Sequence, residues 1–314
     1  MDKMNFERQY CEAIKTILEK GTRTKNRTGI DTITYPGMFI RFDDVLNNFP
    51  MIKGKKVAPR LGFVEMCWFL SGRNDVKFLK DRNLNYWDEW VLEDGTIGKS
   101  YGYQFRNFGG VDQVQNLVEG LLSDTLSRRH IVNIWNPQDL KEMSLPPCVL
   151  YYQLNVLPIE PTGWEDHDKF YYEVDVTTFA RSQDMFLGVP YDFMLAGWFN
   201  ILICDFMNSW KKNLEGKEKL FFIPKGISYF GSNNHIYVNH LDQVKQYLAN
   251  VEENRNGVID SKVKFEINNN FEKDSFENID EYLDYINNRY KELYIINKLQ
   301  GKDYYGKIEA EVAV

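Results

Sequence analysis

Apolar residues recur at helical spacing from the start of the chain: Phe6, Tyr10, Ile14 and Ile17 share one face of residues 5–20, and Gly21 follows where a helix would stop. This spacing predicts an amphipathic first helix. After a loop rich in Thr, Lys, Asn and Arg, the runs 32–35 and 38–42 flank Pro36-Gly37 and predict a pair of strands. Phe63 to Leu70 reads as a short apolar helix ending near Gly72, and Val111 to Leu122 as a third helix. From Arg129 the pattern turns β-rich at 130–135, 149–156 and 172–179. The last run alternates Val174, Val176 and Thr178 with Glu173, Asp175 and Thr177. Phe193 to Trp210 is apolar but interrupted by Asn200, Asp205 and Asn208. It is expected in the core, because a membrane span needs roughly 20 mostly apolar residues. Residues 275–298 carry Phe276, Ile279, Leu283, Ile286, Tyr290 and Leu293 at helical spacing and predict a late helix. No repeat, low-complexity tract or linker interrupts the chain. The expected architecture is α+β, a mixed sheet with helices packed on one side, over a single domain of residues 1–314.

Composition narrows the partners. With 314 residues, 43% of them hydrophobic, the chain can bury a large core. A net charge of −7 leaves no basic footprint for duplex nucleic acid, whereas a mononucleotide needs only a local arginine cluster. Cys11, Cys67, Cys148 and Cys204 are irregularly spaced, so neither a disulfide framework nor a metal site is expected, and a reducing, cytoplasmic setting fits. The first ten residues are too polar for a signal peptide.

Cys148 follows Pro146-Pro147 at the start of a β-run, where a stiff backbone can aim its sulfur. A cysteine is often only a small core residue. Arg27, Arg128-Arg129 and Arg181 raise the functional reading, because such a cluster can hold a phosphate and depress a thiol pKa together.

Nine stretches, in order, resemble the thymidylate synthase family over nearly the whole chain: 26–29 (AsnArgThrGly), 65–72 (GluMetCysTrpPheLeuSerGly), 86–90 (TyrTrpAspGluTrp), 101–106 (TyrGlyTyrGlnPheArg), 127–132 (SerArgArgHisIleVal), 146–148 (ProProCys), 181–192 (ArgSerGlnAspMetPheLeuGlyValProTyrAsp), 235–240 (HisIleTyrValAsnHis) and 311–314 (GluValAlaVal). The resemblance implies one-carbon transfer from 5,10-methylenetetrahydrofolate to C5 of a pyrimidine deoxynucleotide monophosphate. Cys148 would add to C6, since C5 is too weak a nucleophile unaided. Arg27, Arg181 and Ser182 would bind the nucleotide with Arg128 and Arg129, the double arginine crossing from a partner subunit in a homodimer built through the sheet. Glu65 would manage protons through ordered water and Tyr101 would assist removal of the C5 proton. His235 and Tyr237 would bind the sugar 3′-hydroxyl. Trp87, Asp184, Gly188 and Val314 would meet the folate, Val314 as part of a tail that closes over it.

Two positions depart from the family. Its segment corresponding to 188–192 ends in asparagine, whose amide serves uracil N3–H and O4 at once; here the residue is Asp192. An ionised carboxylate only accepts, so it repels O4 but receives the cytosine 4-amino group, and a shared proton can bridge it to N3. Mismatched buried polar groups discriminate by about 10⁴ or more. The related dCMP hydroxymethylases of bacteriophages carry the same change, so a phage-encoded enzyme acting in a host cytoplasm is within the expectation. Val149 replaces a family histidine of the O4 water network. Both changes favour dCMP. Trp87 and the tail should exclude water and argue for a methyl product; the cytosine preference argues by analogy for hydroxymethyl, which is the expectation taken, with dCMP methylation or thymidylate synthesis as alternatives. A catalytically silent nucleotide- or RNA-binding homologue would have no need of Cys148, Glu65 and Tyr101. The 155–172 segment and the 275–298 helix receive no functional account.

Overall fold

A computed structural model describes residues 5–160, 168–253, 265–266, 275–289, 291, 295–296 and 307–312. Its six-stranded sheet is ordered β1-β2-β6-β5-β4-β3, formed by β1 (Thr22–Thr24), β2 (Thr32–Phe42), β3 (Ile131–Asn133), β4 (Val149–Pro158), β5 (Lys169–Asp184) and β6 (Lys219–Tyr237). Neighbours are antiparallel except β5 and β6, which run parallel from Lys169↔Lys219 to Asp184↔His235. A parallel pair needs a crossover. It is supplied by a long helix, Gly188–Ser209, the sixth in a series that begins with α1 (Phe6–Lys20), α2 (Pro59–Leu70), α3 (Lys77–Lys80), α4 (Gly102–Arg106) and α5 (Gln113–Ser123).

That crossover helix, α6, is apolar all round because the sheet covers one side and α2 the other. The polar residues that interrupt its sequence fasten it. Asn200 Nδ2 donates to Val174 O (2.9 Å) and Gly226 O (3.3 Å), beside the irregularity in the β5–β6 ladder at Val174/Asp175. Helix α1 lies on β2 and β6 on the same side as α6. Asn5 caps it by accepting from Glu7 N at 2.8 Å, and a Cβ on Gly21 would stand 2.4 Å from Ile17 O, so the helix stops at a glycine. Buried Glu7 accepts from Lys53 N (2.6 Å), Gly54 N (3.1 Å) and the Tyr247 hydroxyl. This ties α1 to the segment entering α2 and, beyond the short α7 (Lys211–Leu214), to α8 (Leu241–Glu253). The other face of the sheet carries Phe39 against Phe230 (4.7 Å between ring centres), both exposed, and Arg41 paired with Asp175.

The α+β class and the helices on one side agree with the sequence pattern, and three elements differ. Pro36-Gly37 does not divide two strands: β2 pairs with β6 on both sides of it, Pro36↔Asn233 and Met38↔Gly231, and Gly37 absorbs the irregularity at φ +73°. The strand β6 was not foreseen, because Pro224, Gly226 and Gly231 break its alternation. The late helix, α9, is shorter than 275–298. It spans Ile279–Asn288, and Ile295–Ile296 already pairs as β8 with β7 (Phe265–Glu266); Tyr290 and Leu293 lie outside the described residues. Within 155–172, the strand ends continue the β4–β5 hairpin to Pro158↔Tyr172, while 161–167 lie outside the described residues.

Helix α9 packs on α2 and is pinned by polar contacts: Tyr282 Oη donates to Asp205 Oδ2 (2.7 Å), Arg106 Nη1 to Asp280 Oδ1 (2.7 Å), and Trp210 Nε1 to Glu277 O (3.0 Å). Burial pushes the Asp205 carboxyl from its ordinary 3.8 up to about 7, although the Tyr282 bond favours the charged form. Between these values the folded state holds a proton that the unfolded state has released, so this group's contribution to stability falls as pH rises. Asp205→Asn retains an acceptor for Tyr282 and loses that dependence. Its melting temperature should therefore fall less steeply than wild type between pH 4 and 7 in a thermal-unfolding series; equal slopes would contradict the assignment.

Candidate active site

The parallel pair and its crossover gather the foreseen residues at one end of the sheet. Cys148 immediately precedes β4, and Arg181 lies near the end of β5, its backbone N donating to Cys148 O at 2.9 Å. Pro146 and Pro147 have no N–H, but their carbonyls hold the guanidinium: Arg181 Nε donates to Pro147 O (2.8 Å) and Nη2 to Pro146 O (2.9 Å). The Tyr101 hydroxyl accepts from Cys148 N at 3.1 Å. Tyr101 has φ +32°, a strained value for a side chain of this size, maintained by stacking on Phe69 (4.8 Å) and an edge contact with Trp87 (5.5 Å).

Glu65 is buried in α2 with no lysine partner. Trp87 Nε1 donates to Oε1 at 2.7 Å and the Tyr86 hydroxyl donates to Oε2. Burial nonetheless pushes this carboxyl up to about 7, and Asp192 adds to the rise. Asp192, in the second turn of α6, is likewise raised to about 7, first by burial, while Gln183 and Tyr229 pull it down. The Cys148 thiol is pushed up to about 11, by burial and then by Asp192, against the pull of Arg181 and Arg27. The arginines therefore do not produce the depressed thiol that the sequence led us to expect. Two acidic neighbours and loss of water outweigh them.

The remaining foreseen residues divide by position. Arg27 is exposed on the loop before β2 yet acts on both Cys148 and Tyr237. Ser182 pairs in the ladder with Asn233. His235 Nδ1 lies 3.0 Å from Asn233 Oδ1, its ring edge-on to Tyr237 (5.1 Å), and burial lowers its pKa. Asp184 Oδ1 accepts from Phe186 N (2.9 Å) and Leu187 N (3.2 Å), fixing the turn into α6. A Cβ on Gly188, the first residue of that helix, would stand 3.7 Å from Asp192 Oδ2. Val149 is buried, and Val314 lies outside the described residues. Arg128 and Arg129 are not gathered with the others: they are exposed on the turn between α5 and β3, Arg129 only 3.5 Å from Asp124 Oδ2.

Three participants escaped the sequence reading. Tyr86 and Gln183 fall within family-like stretches that assign them no role, and Tyr229 carries no local signal; Gln183 and Tyr229 both lie buried against Asp192. Trp87, foreseen as a wall, also orients Glu65. No group of His, Cys, Asp and Glu suited to a metal occurs among the described residues, and none of their helices is long and apolar enough to cross a membrane.

A neutral thiol beside two carboxyls that exchange protons near pH 7, with a phenol at the thiol's own backbone, suits reversible addition to an electrophilic ring and proton transfers around it. The thymidylate synthase model of this family matches residues 8–292. The thymidylate synthase of Malacoplasma penetrans is 32% identical over 271 residues, covering 77% of this chain and 85% of that protein. That of Enterobacteria phage T4 is 33% identical over 256 residues, covering 77% and 80%, and that of Mesoplasma florum 31% identical over 270 residues, covering 77% and 85%. The chain belongs to the thymidylate synthase family, whose members are one-carbon transferases.

Because the Asp192 charge opposes the thiolate, Asp192→Asn should lower the Cys148 pKa. Alkylation of Cys148 by iodoacetamide at pH 8 should then accelerate, by about tenfold for each unit by which the thiol falls. A slower reaction in the variant would show that Asp192 does not oppose the thiolate.

Proposed function

We propose that this enzyme transfers the one-carbon unit of 5,10-methylenetetrahydrofolate to C5 of dCMP and yields 5-hydroxymethyl-dCMP. The observation that carries the reading is Asp192 itself: a carboxyl in the site, with the Gln183 amide as its donor, the Tyr229 phenol beside it and no cation bonded to it, titrating near neutrality. Ionised, it accepts from the cytosine 4-amino group; protonated, it can share its hydrogen with N3, which makes C6 more electrophilic. Cys148 then adds at C6, its proton passing through water to the ionised Glu65 carboxylate; once C5 carries the new carbon and has lost its proton, the C6–S bond breaks, the C5–C6 double bond returns and the thiolate takes back a proton. Glu65, poised near pH 7, takes or returns a proton beside the ring, and Tyr101 stands at Cys148 to assist loss of the C5 proton.

The folate supplies the carbon; on the hydroxymethylating branch tetrahydrofolate leaves and water adds its hydroxyl to the exocyclic carbon, and on the methylating branch the folate also gives a hydride and leaves as dihydrofolate. Trp87, Tyr191 and the half-buried Asp184 carboxylate suit a flat ring rich in N–H donors. Gly188 leaves room beside them, and Val314 would belong to a closing tail. Arg27, Arg181 and Ser182 would hold the 5′-phosphate, and His235 with Tyr237 the 3′-hydroxyl. Arg128 and Arg129, exposed in one chain, would serve the phosphate of a partner subunit, with the Phe39–Phe230 face of the sheet in the interface.

A second reading is thymidylate synthesis from dUMP. The three relatives bear that name, and a protonated Asp192 could donate to O4 and accept from N3–H.

Turnover of dCMP and dUMP side by side with the folate, with the nucleotide product identified by mass and dihydrofolate followed by absorbance, separates the readings. Hydroxymethyl-dCMP without dihydrofolate is the expected result. Methyl-dCMP with dihydrofolate would keep the substrate and replace the product, and turnover of dUMP alone would replace both. For the shared site, mixing inactive Cys148→Ser with inactive Arg128→Ala/Arg129→Ala should restore activity through hybrid dimers; no recovery despite subunit exchange would place both arginines outside the partner's site.

A further inference from the structure

Asp192 is supported from behind by two residues with no role so far. Gln183 on β5 and Tyr229 on β6 are both fully buried. Gln183 Nε2 donates to Asp192 Oδ2 at 3.4 Å. The Tyr229 hydroxyl neighbours both side chains. It favours the ionised form of Asp192, and Gln183 in turn favours ionisation of the phenol. Neither Gln183 Oε1 nor the Tyr229 hydroxyl completes a hydrogen bond of its own. Buried polar groups are rarely left so, and two of them adjoining one titratable carboxyl indicate an arrangement that tightens when that carboxyl engages a ligand.

We infer that Gln183 and Tyr229 form a buried brace that holds the Asp192 carboxyl as an acceptor aimed at the exocyclic amine of cytosine, so that nucleotide selection depends on three residues rather than one. The inference rests on the reading of Asp192 as the group that meets the base. Its physical basis is the choice left open by a carboxyl near pH 7. A protonated carboxyl can donate to O4 of uracil, whereas one whose Oδ2 accepts an N–H from Gln183, with the Tyr229 hydroxyl free beside it to donate, is biased towards the charged form, which repels O4. The other titratable groups in its field are Asp184 at the end of β5, Glu65 on α2, Cys148 before β4, Tyr152 on β4, Tyr86, and Tyr101 at the start of α4. Ionisation of any of them would oppose the charge on Asp192, leaving Gln183 and Tyr229 as the groups that favour it. They are positioning residues.

Tyr229→Phe removes one oxygen, and Gln183→Met removes the amide at similar volume. Two readouts apply: the titration of Asp192 by carboxyl 13C NMR in the ligand-free protein, and kcat/KM against pH for both nucleotides. In each variant the Asp192 midpoint should move to higher pH, by about one unit, and the dCMP-to-dUMP ratio of kcat/KM at pH 7.5 should fall by about tenfold. A merely structural role would lower activity without moving either. An unmoved Asp192 midpoint in Tyr229→Phe overturns the brace even if wild type is dCMP-specific. If wild type uses dUMP alone, the substrate reading and the selection role fall together, and a shifted midpoint would then leave the brace only as control of the Asp192 charge. The NMR midpoint is readable in any variant that folds, including an inactive one.

Discussion

The parallel pairing of β5 with β6 is the constraint on which the rest of the molecule depends. Antiparallel strands can be joined by a tight turn, but a parallel pair requires the chain to return along the full strand length, and here α6 makes that return. Both strands therefore end at the same edge, where Asp184 stands opposite His235, and α6 begins there. A single topological requirement thus brings together Arg181 and Ser182 from one strand, His235 and Tyr237 from another, and Asp192 from the crossover helix. Asn200 secures the middle of the helix to the irregular part of the ladder, and Asp184 Oδ1, accepting from Phe186 N and Leu187 N, fixes its start at the strand end.

Around that edge the protein does something costly: it buries acids. Glu65, Asp192 and the Cys148 thiol are all desolvated, and Asp192 raises the affinity of both Glu65 and Cys148 for protons. The hydrogen bonds present, from Trp87 and Tyr86 to Glu65 and from Gln183 to Asp192, moderate this without cancelling it. In the ligand-free site burial therefore favours the protonated thiol of Cys148 over a preformed thiolate. Perturbed groups of this kind cluster where proton transfer is needed. The strained backbone of Tyr101 belongs to the same arrangement, since its hydroxyl is held at the backbone N of Cys148 by aromatic stacking on Phe69.

Much of this was legible from the residues in order. The helical spacing of Phe6, Tyr10, Ile14 and Ile17 gave α1, the alternation around Val174 and Val176 gave β5, and the polar interruptions at Asn200 and Asp205 marked α6 as a core helix. The motifs containing Cys148, Glu65, Tyr101, Arg181, Asp192 and His235 named the gathered residues. Where local pattern and pairing disagreed, pairing prevailed. Pro36-Gly37 looks like a turn but sits within β2 because β6 continues alongside it, and β6 is broken by Pro224 and Gly226 yet is held between two neighbours.

Sequence alone determined the family, the α+β class and which residues to look for in the site, because these depend on residue types and their order, which no packing alters. Only the tertiary structure decided the chemical state of those residues. Whether Cys148 beside several arginines is a thiol or a thiolate depends on how much water remains and which charge is nearest, and burial with Asp192 outweighs Arg181 and Arg27. The same holds for Gln183 and Tyr229, far apart in the chain, which meet at Asp192 only because two parallel strands lie side by side beneath their crossover helix.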